Sequence, residues 1–346
     1  MDLSGELWPA HPKPLPDELL SSWLMRTAHA NGLRLQTFCN LIFGGRRQVW
    51  NRDIDRLGPT WLISTMAACT GTPWTIAYGT TLRTFEGVLF RRFRAAGTLQ
   101  WIQTLLMYHR KRHGYGLQVC PRCLREGEQP YYRRIWRVSF NTVCPLHQRM
   151  LLDRCPACGA GIAFHRTDIG RDQVHDMPRL MLACHGCGVD LSECDSPALH
   201  GYDAAALQAH IRLCQALQTG HSLDRGRLDV IHHLGGLMQA SSERLKLQAF
   251  AAQSLGAPTL PRSTKRISIE SRGLEERHHY LLLINWLMND LESRLHQARN
   301  AKALRYLHLN RDFADPPPWY GALVDRFERR VNAVVAPRSP SGQAIP

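Results

Sequence analysis

Apolar side chains recur at helical spacing along most of this chain, and the exceptions divide it. Residues 8–16 are Pro-rich and read as extended. Asp17 and Glu18 then open a helix, with acid near the positive end of its dipole. Leu19, Leu20, Trp23, Leu24 and Ala28 mark its buried face, and Asn31-Gly32 end it, because both tolerate a left-handed turn. A second short helix carries Phe38, Leu41 and Ile42. The pattern then repeats. Thr60 to Cys69 reads helical, Gly71 stops it, and Thr72-Pro73 cap a helix from Trp74 to Thr80. Helix, tight turn, helix is the shape of a helix-turn-helix unit and also of a plain helical bundle.

The period is lost in the centre. Tyr131 to Val138 is aromatic and β-branched, which predicts a strand or hairpin arm. Trp136 is expected to pack inward, with Arg133 and Arg134 turned to a partner. From Asp203 onward the chain reads all-helical, with helices over residues 204–217, 228–255 and 274–295. A linker spans 256–273, Pro316-Pro317-Pro318 break the pattern, and a last helix runs over 319–331. The expected fold is mainly α with a small zinc-stabilised α+β centre. The expected segments are an N-terminal helix-turn-helix-like domain (1–118), tandem zinc fingers (119–200), a C-terminal helical domain (201–335) and a disordered tail (336–346).

Charge follows the same division. The 346 residues carry 43 Lys+Arg against 29 Asp+Glu, a net of +14. Segment nets are +7 for residues 1–119, +1 for 120–200 and +6 for 201–346. Only 5 of the 43 basic residues are Lys. Arginine forks match phosphate geometry, so a nucleic-acid-related role is favoured over a GC-rich coding bias. The candidate contacts are Arg91, Arg92 and Arg94, then Arg110, Lys111 and Arg112, then Arg133, Arg134 and Arg137. The alternative for the first two groups is a solvated helix face. No apolar run approaches the ~18 residues of a membrane span, and the start lacks a secretory pattern, so a cytoplasmic protein is expected.

The 11 cysteines carry the strongest chemical signal. Cys120-Pro-Arg-Cys123 is followed after twenty residues by Cys144-Pro-Leu-His147, and Cys155-Pro-Ala-Cys158 after 25 by Cys184-His-Gly-Cys187. A two-residue gap lets both donors of a knuckle face one ion, and tetrahedral zinc takes two knuckles. Thiolate with imidazole selects zinc over hard cations. Two structural zinc ions per chain are expected, on Cys120, Cys123, Cys144 and His147, and on Cys155, Cys158, Cys184 and Cys187. Swapped pairing of the half-sites stays open. Gly159 and Gly188 follow second cysteines, where a tight turn asks for positive φ. Cys39, Cys69 and Cys214 read as core residues, Cys194 as an isolated cysteine close enough to the second site to be a spare ligand, and the pairs His232-His233 and His278-His279 as ordinary.

Enzyme signatures are missing. The sequence holds no phosphate-binding Gly-Lys-Ser/Thr loop, no H-E-x-x-H, no G-x-S-x-G and no His-x-Glu. Four protein donors at each zinc leave no place for a reactive water. A binding protein or adaptor is expected, not an enzyme.

Pro16, Asp17-Glu18, Ser22-Trp23, Arg26, Ala28 and Gly32 resemble the opening motif of the TniQ/TnsD family of transposon target-selection proteins. The order Cys-Pro-x-Cys, Trp, Cys-x-x-His, Cys-Pro-x-Cys over residues 120–158 is similar to that family's tandem zinc fingers. The resemblance covers about residues 8–190. It implies a role in Tn-seven-like transposition without transposase chemistry. Some members of the family read an attachment site in DNA. Others sit as a dimer on a CRISPR Cascade complex, where guide RNA reads the target, and connect it to an AAA+ ATPase regulator. The intermediate length of this chain resembles the Cascade-associated members. The implied partners are Cascade with guide RNA, an AAA+ regulator, nearby target DNA and a second copy of the chain, with no membrane. The rivals are a direct attachment-site reader, a zinc-stabilised helix-turn-helix transcription regulator and a degenerate nuclease with structural zinc.

Overall fold

A computed structural model describes residues 7–44, 49, 52–105, 117–167, 177–221, 223–240, 245–261 and 267–333. The basic run at Arg110, Lys111 and Arg112 and the tail from residue 336 lie outside them. Among the described residues the fold is mainly helical, with one short hairpin. Two compact units emerge, residues 1–225 with 267–282, and residues 226–266 with 283–346. The segments 1–118 and 119–200 therefore share one unit.

The first unit begins with the extended Pro-rich stretch. Trp8 is buried edge-on against Phe38, their ring centres 4.9 Å apart. Helix α1 spans Leu20–Ala30 and so starts later than the acidic pair suggests. Asp17 has φ of 59°, and Glu18 bridges to Arg133 instead of entering a helix. Glu18 is 1% exposed. It accepts hydrogen bonds from Ser22 Oγ and from Arg26 Nε, both at 2.8 Å, and from Leu15 N at 2.9 Å. A buried carboxylate requires such partners. Asn31 and Gly32 end α1 as expected, and Asn31 also pins the extended stretch by bonding Ala10 N at 3.0 Å.

Helix α2 (Leu35–Phe43) and the short α3 (Ile54–Leu57) follow. Helix α4 (Thr60–Thr70) stops at Gly71, φ 59°, and α5 (Trp74–Gly79) begins after Pro73. The two helix-turn-helix-shaped pairs are thus present. Next comes α6 (Pro121–Glu126), entered at Pro121, where a missing N–H costs nothing.

The expected strand at Tyr131–Val138 is a correction. Arg134–Arg137 form a 3-10 turn, and the segment makes only isolated β-bridges at its two ends, Arg133 to Glu18 and Val138 to Ile102. Aromatic and branched residues here fill the core rather than one face of a sheet. Tyr132 is buried, stacked on Phe164 at 4.1 Å and edge-on to Trp136 at 5.8 Å. The hairpin lies further on, β1 (Val143–Cys144) antiparallel to β2 (Arg149–Met150), closed through Gln148 at φ 47°.

Helix α7 (Met177–Leu180) leads to the second cysteine cluster, and α8 (Ala204–Thr219) is capped by Asp203, which accepts from Ala206 N at 2.8 Å. The unit is completed by residues 267–282, which hold the start of α11. Here a directed chain of hydrogen bonds is fixed by donor chemistry. His278 Nε2 lies 3.0 Å from the carbonyl of His200 and must be its donor, leaving Nδ1 to accept from Thr142 Oγ1 at 2.9 Å. Thr142 in turn accepts from His210 Nε2 at 2.7 Å. His278 is therefore a tie to the strand that carries Cys144.

The second unit is helical in its described residues. Helices α9 (Arg225–Met238) and α10 (Leu247–Leu255) replace the single long helix expected over 228–255. The run 274–295 likewise breaks at Asp290 into α11 (Leu274–Asn289) and α12 (Leu291–Asn300). Helices α13 (Tyr306–Asn310) and α14 (Pro318–Ala333) finish it, with Tyr320 hydroxyl donating to Leu309 O at 3.2 Å.

Candidate metal centres

The structure brings the eight predicted donors together in the predicted sets. In each set the four donor atoms lie within 4.8 Å of one another. In the first, Cys120 and Cys123 come from the start of α6, and Cys144 and His147 from the β1–β2 hairpin. His147 Nδ1 lies 3.3 Å from Cys120 Sγ, 3.4 Å from Cys123 Sγ and 3.3 Å from Cys144 Sγ, and Cys123 and Cys144 sulfurs are 3.6 Å apart.

The second centre is built from two copies of one turn. Cys155 O accepts from Gly159 N at 2.8 Å, and Cys184 O from Gly188 N at 2.9 Å. Their glycines have φ of 71° and 81°, the positive values that L side chains resist. Each turn is closed beyond by a backbone bond from its first cysteine, Cys155 N to Ala160 O at 2.7 Å and Cys184 N to Val189 O at 2.8 Å. The turns face each other, with sulfur separations of 3.7 Å for Cys155–Cys187 and 3.6 Å for Cys158–Cys184. A Cβ on Gly186 would sit 3.3 Å from Cys158 Sγ and 3.2 Å from Ala160 Cβ, so the turns approach closely there.

These distances test the fit to zinc. A tetrahedral ion with sulfurs at about 2.3 Å sets them about 3.7 Å apart. Both centres match that edge length with the soft donors zinc prefers. Charge argues the same way. Four neighbouring thiols cannot all ionise alone: burial pushes Cys155 up to about 12, while a hydrogen bond from the Val189 backbone holds Cys187 near 7. A divalent cation removes that conflict, since it favours every thiolate at once. Zinc would supply a cross-link here. With all four corners taken by protein, no corner is left for water. Cys194 stands outside both clusters and bonds Asp190 O at 3.4 Å. Cys39, Cys69 and Cys214 are buried.

Sequence spacing did not single out Glu126. Its Oε2 lies 2.7 Å from His147 Nε2, the ring nitrogen facing away from the sulfurs. The available signal was its place three residues after Cys123, one helical turn along α6.

The arginines sort differently from one another. Arg91, Arg92 and Arg94 are exposed, on a loop whose backbone is anchored by Arg56 Nη2 donating to Arg94 O at 2.7 Å. Arg137 is fully buried between Asp53 (2.6 Å) and Asp55 (3.4 Å). It offers no guanidinium to an outside ligand, which corrects its contact role. Arg134 pairs with Asp17 at 3.0 Å and bonds Thr84 Oγ1 at 2.6 Å, so its fork is engaged within the chain. Arg133 differs. Its guanidinium lies over the rings of Tyr131 (5.4 Å) and Trp136 (5.8 Å) and pairs with no carboxylate among the described residues. Among those residues, no helix is long and apolar enough to cross a membrane.

No curated protein matches the chain. A family model, that of TniQ, matches residues 9–151. The match takes in the Glu18–Arg26 pair and the whole first centre, and ends before Cys155 of the second. Over residues 9–151 this chain is therefore similar to the TniQ family.

Proposed function

We propose that this chain is a non-catalytic target-selection adaptor of a Tn-seven-like transposon, linking an RNA-guided CRISPR Cascade complex to an AAA+ transposition regulator. The TniQ match over residues 9–151 carries the reading. Two sets of four protein donors support a scaffold role, because zinc held that way stabilises a fold without activating water. Residues Cys120, Cys123, Cys144 and His147 hold one zinc, and Cys155, Cys158, Cys184 and Cys187 the other. In this reading the protein works in the cytoplasm as a homodimer, and Arg91, Arg92, Arg94 and Arg133 face nucleic acid or acidic partner surfaces. Arg110, Lys111 and Arg112 are proposed for the same kind of contact.

One observation favours a second reading, direct recognition of an attachment site. Helix α2 exposes Gln36, Thr37 and Asn40, side chains able to hydrogen-bond base edges in a major groove. A tagged pull-down from the native host, with and without nuclease, separates the readings. Cascade subunits and guide RNA retained after DNase support the RNA-guided adaptor. An AAA+ ATPase with one enriched DNA site, lost on DNase, supports the direct reader. An operator with no ATPase would indicate a transcription regulator and overturn both.

A further inference from the structure

We infer that Glu126 is a positioning residue of the first metal centre, fixing His147 as an Nδ1 ligand. Two contacts carry this. All three sulfurs of the centre face Nδ1 of His147, at 3.3–3.4 Å. The other ring nitrogen, Nε2, lies 2.7 Å from Glu126 Oε2. An ionised carboxylate only accepts, so Nε2 must carry the proton. Nδ1 is then left with its lone pair directed at the sulfurs, the form a metal requires. The carboxylate also sets the ring's rotation.

The backbone makes the arrangement possible. Cys123 and Glu126 are three residues apart on α6, so they lie one above the other on one face of the helix. One helix thus supplies a ligand and the group that orients a ligand from the hairpin. The second centre has no histidine and no such carboxylate among its donors; Gly186 N points at Cys184 Sγ there instead, at 3.4 Å. The two zinc ions should therefore differ in their response to a change at residue 126.

The inference rests on metal occupancy of the first cluster and not on the transposon reading. The test is zinc release from the full-length, zinc-loaded protein to a competing chelator, followed by a metal-sensitive dye. Glu126→Gln should weaken one of the two zincs about 10- to 100-fold and leave the other at the wild-type value. Glu128→Gln, on an exposed neighbour, should change neither. Equal weakening of both zincs, or no change in either, would overturn the assignment. If Glu126→Gln fails to fold, the wild-type protein still decides. Long-range proton–nitrogen NMR of the zinc-loaded chain should show one metal-bound histidine, protonated at Nε2. Ligation through Nε2 would sink the proposal.

Discussion

At the scale of single residues, the buried charges of the first unit have defined counterparts. Arg137, Asp53 and Asp55 form a buried group in which Asp55 also accepts from Ser21 N and Ser21 Oγ, both at 2.8 Å. Burial, with the like charge of Asp53, raises Asp55 to about 6, against the pull of Arg137. Removing the guanidinium strands two carboxylates. Arg137→Leu should therefore cost about 3–5 kcal/mol in urea unfolding at pH 7, and an unchanged midpoint would refute this account. The sign with pH is also set. Asp55 holds its proton more tightly folded than unfolded, so its contribution is complete below about pH 4 and is lost as pH rises through about 6. Asp55→Asn should flatten that part of the stability profile. The zinc ligands act on a larger scale of energy. Cys123→Ser or Cys158→Ser should lose one zinc of two by metal analysis and lower the melting temperature, since metal binding is folding energy in such sites. A variant keeping both zincs and full stability would show that its cysteine is not a ligand.

At the scale of elements, tight turns decide more than helix propensity. The second centre depends on two turns whose glycines sit at φ of 71° and 81°. Gly188→Ala should cost about 1–2 kcal/mol and loosen that zinc alone, because a Cβ strains the left-handed turn. A chelator titration with two resolved phases reads this; equal loosening of both zincs would contradict it. The start of α1 shows the limit of dipole reasoning. Asp17 and Glu18 look like acid at a helix N-terminus, yet the helix begins at Leu20. Their carboxylates are engaged by partners elsewhere in the chain, Asp17 by Arg134 and Glu18 by Arg26, eight residues on. The run Tyr131–Val138 failed as a strand for a related reason. Aromatic content signals burial, and here burial comes from side chains on every face of a turn.

At the scale of the whole molecule, stability and binding follow from summed charge. Burial lowers His210 well below its ordinary value, and both His233 and His278 to about 4. These rings stay neutral in the folded chain and take protons once unfolded. Stability from them is present above about pH 6.5 and is lost as pH falls through about 4, outweighing the opposing effects of the buried Asp55 and Asp17, both raised by burial. A urea midpoint that rises on acidification from pH 6.5 to 4.5, with zinc release followed in the same samples, would reverse this expectation. For partners, the stacked Arg133 is the test position. Arg133→Glu should weaken nucleic-acid or partner binding with the melting temperature kept. Arg134→Glu should instead destabilise the fold by opposing Asp17. Unchanged binding in Arg133→Glu would remove that residue from the interface.

The sequence by itself determined the four metal-binding half-sites, because cysteine spacing is a local property, while the tertiary structure decided how they pair. Two donors two residues apart must face one ion, and the turn glycines follow from the same geometry. The helices and their glycine stops were legible for the same reason, as at Gly71 and Asn31-Gly32. Only the tertiary structure decided which arginines are surface and which are core. Arg133, Arg134 and Arg137 share one short segment, yet their partners Tyr131, Asp17 and Asp53 lie up to 117 residues away from them along the chain. It also decided that Glu126 meets His147 and that His278 ties to Thr142. A periodic pattern reports which face is buried. It carries no information on which distant side chain waits there, and that pairing sets the state of each charge.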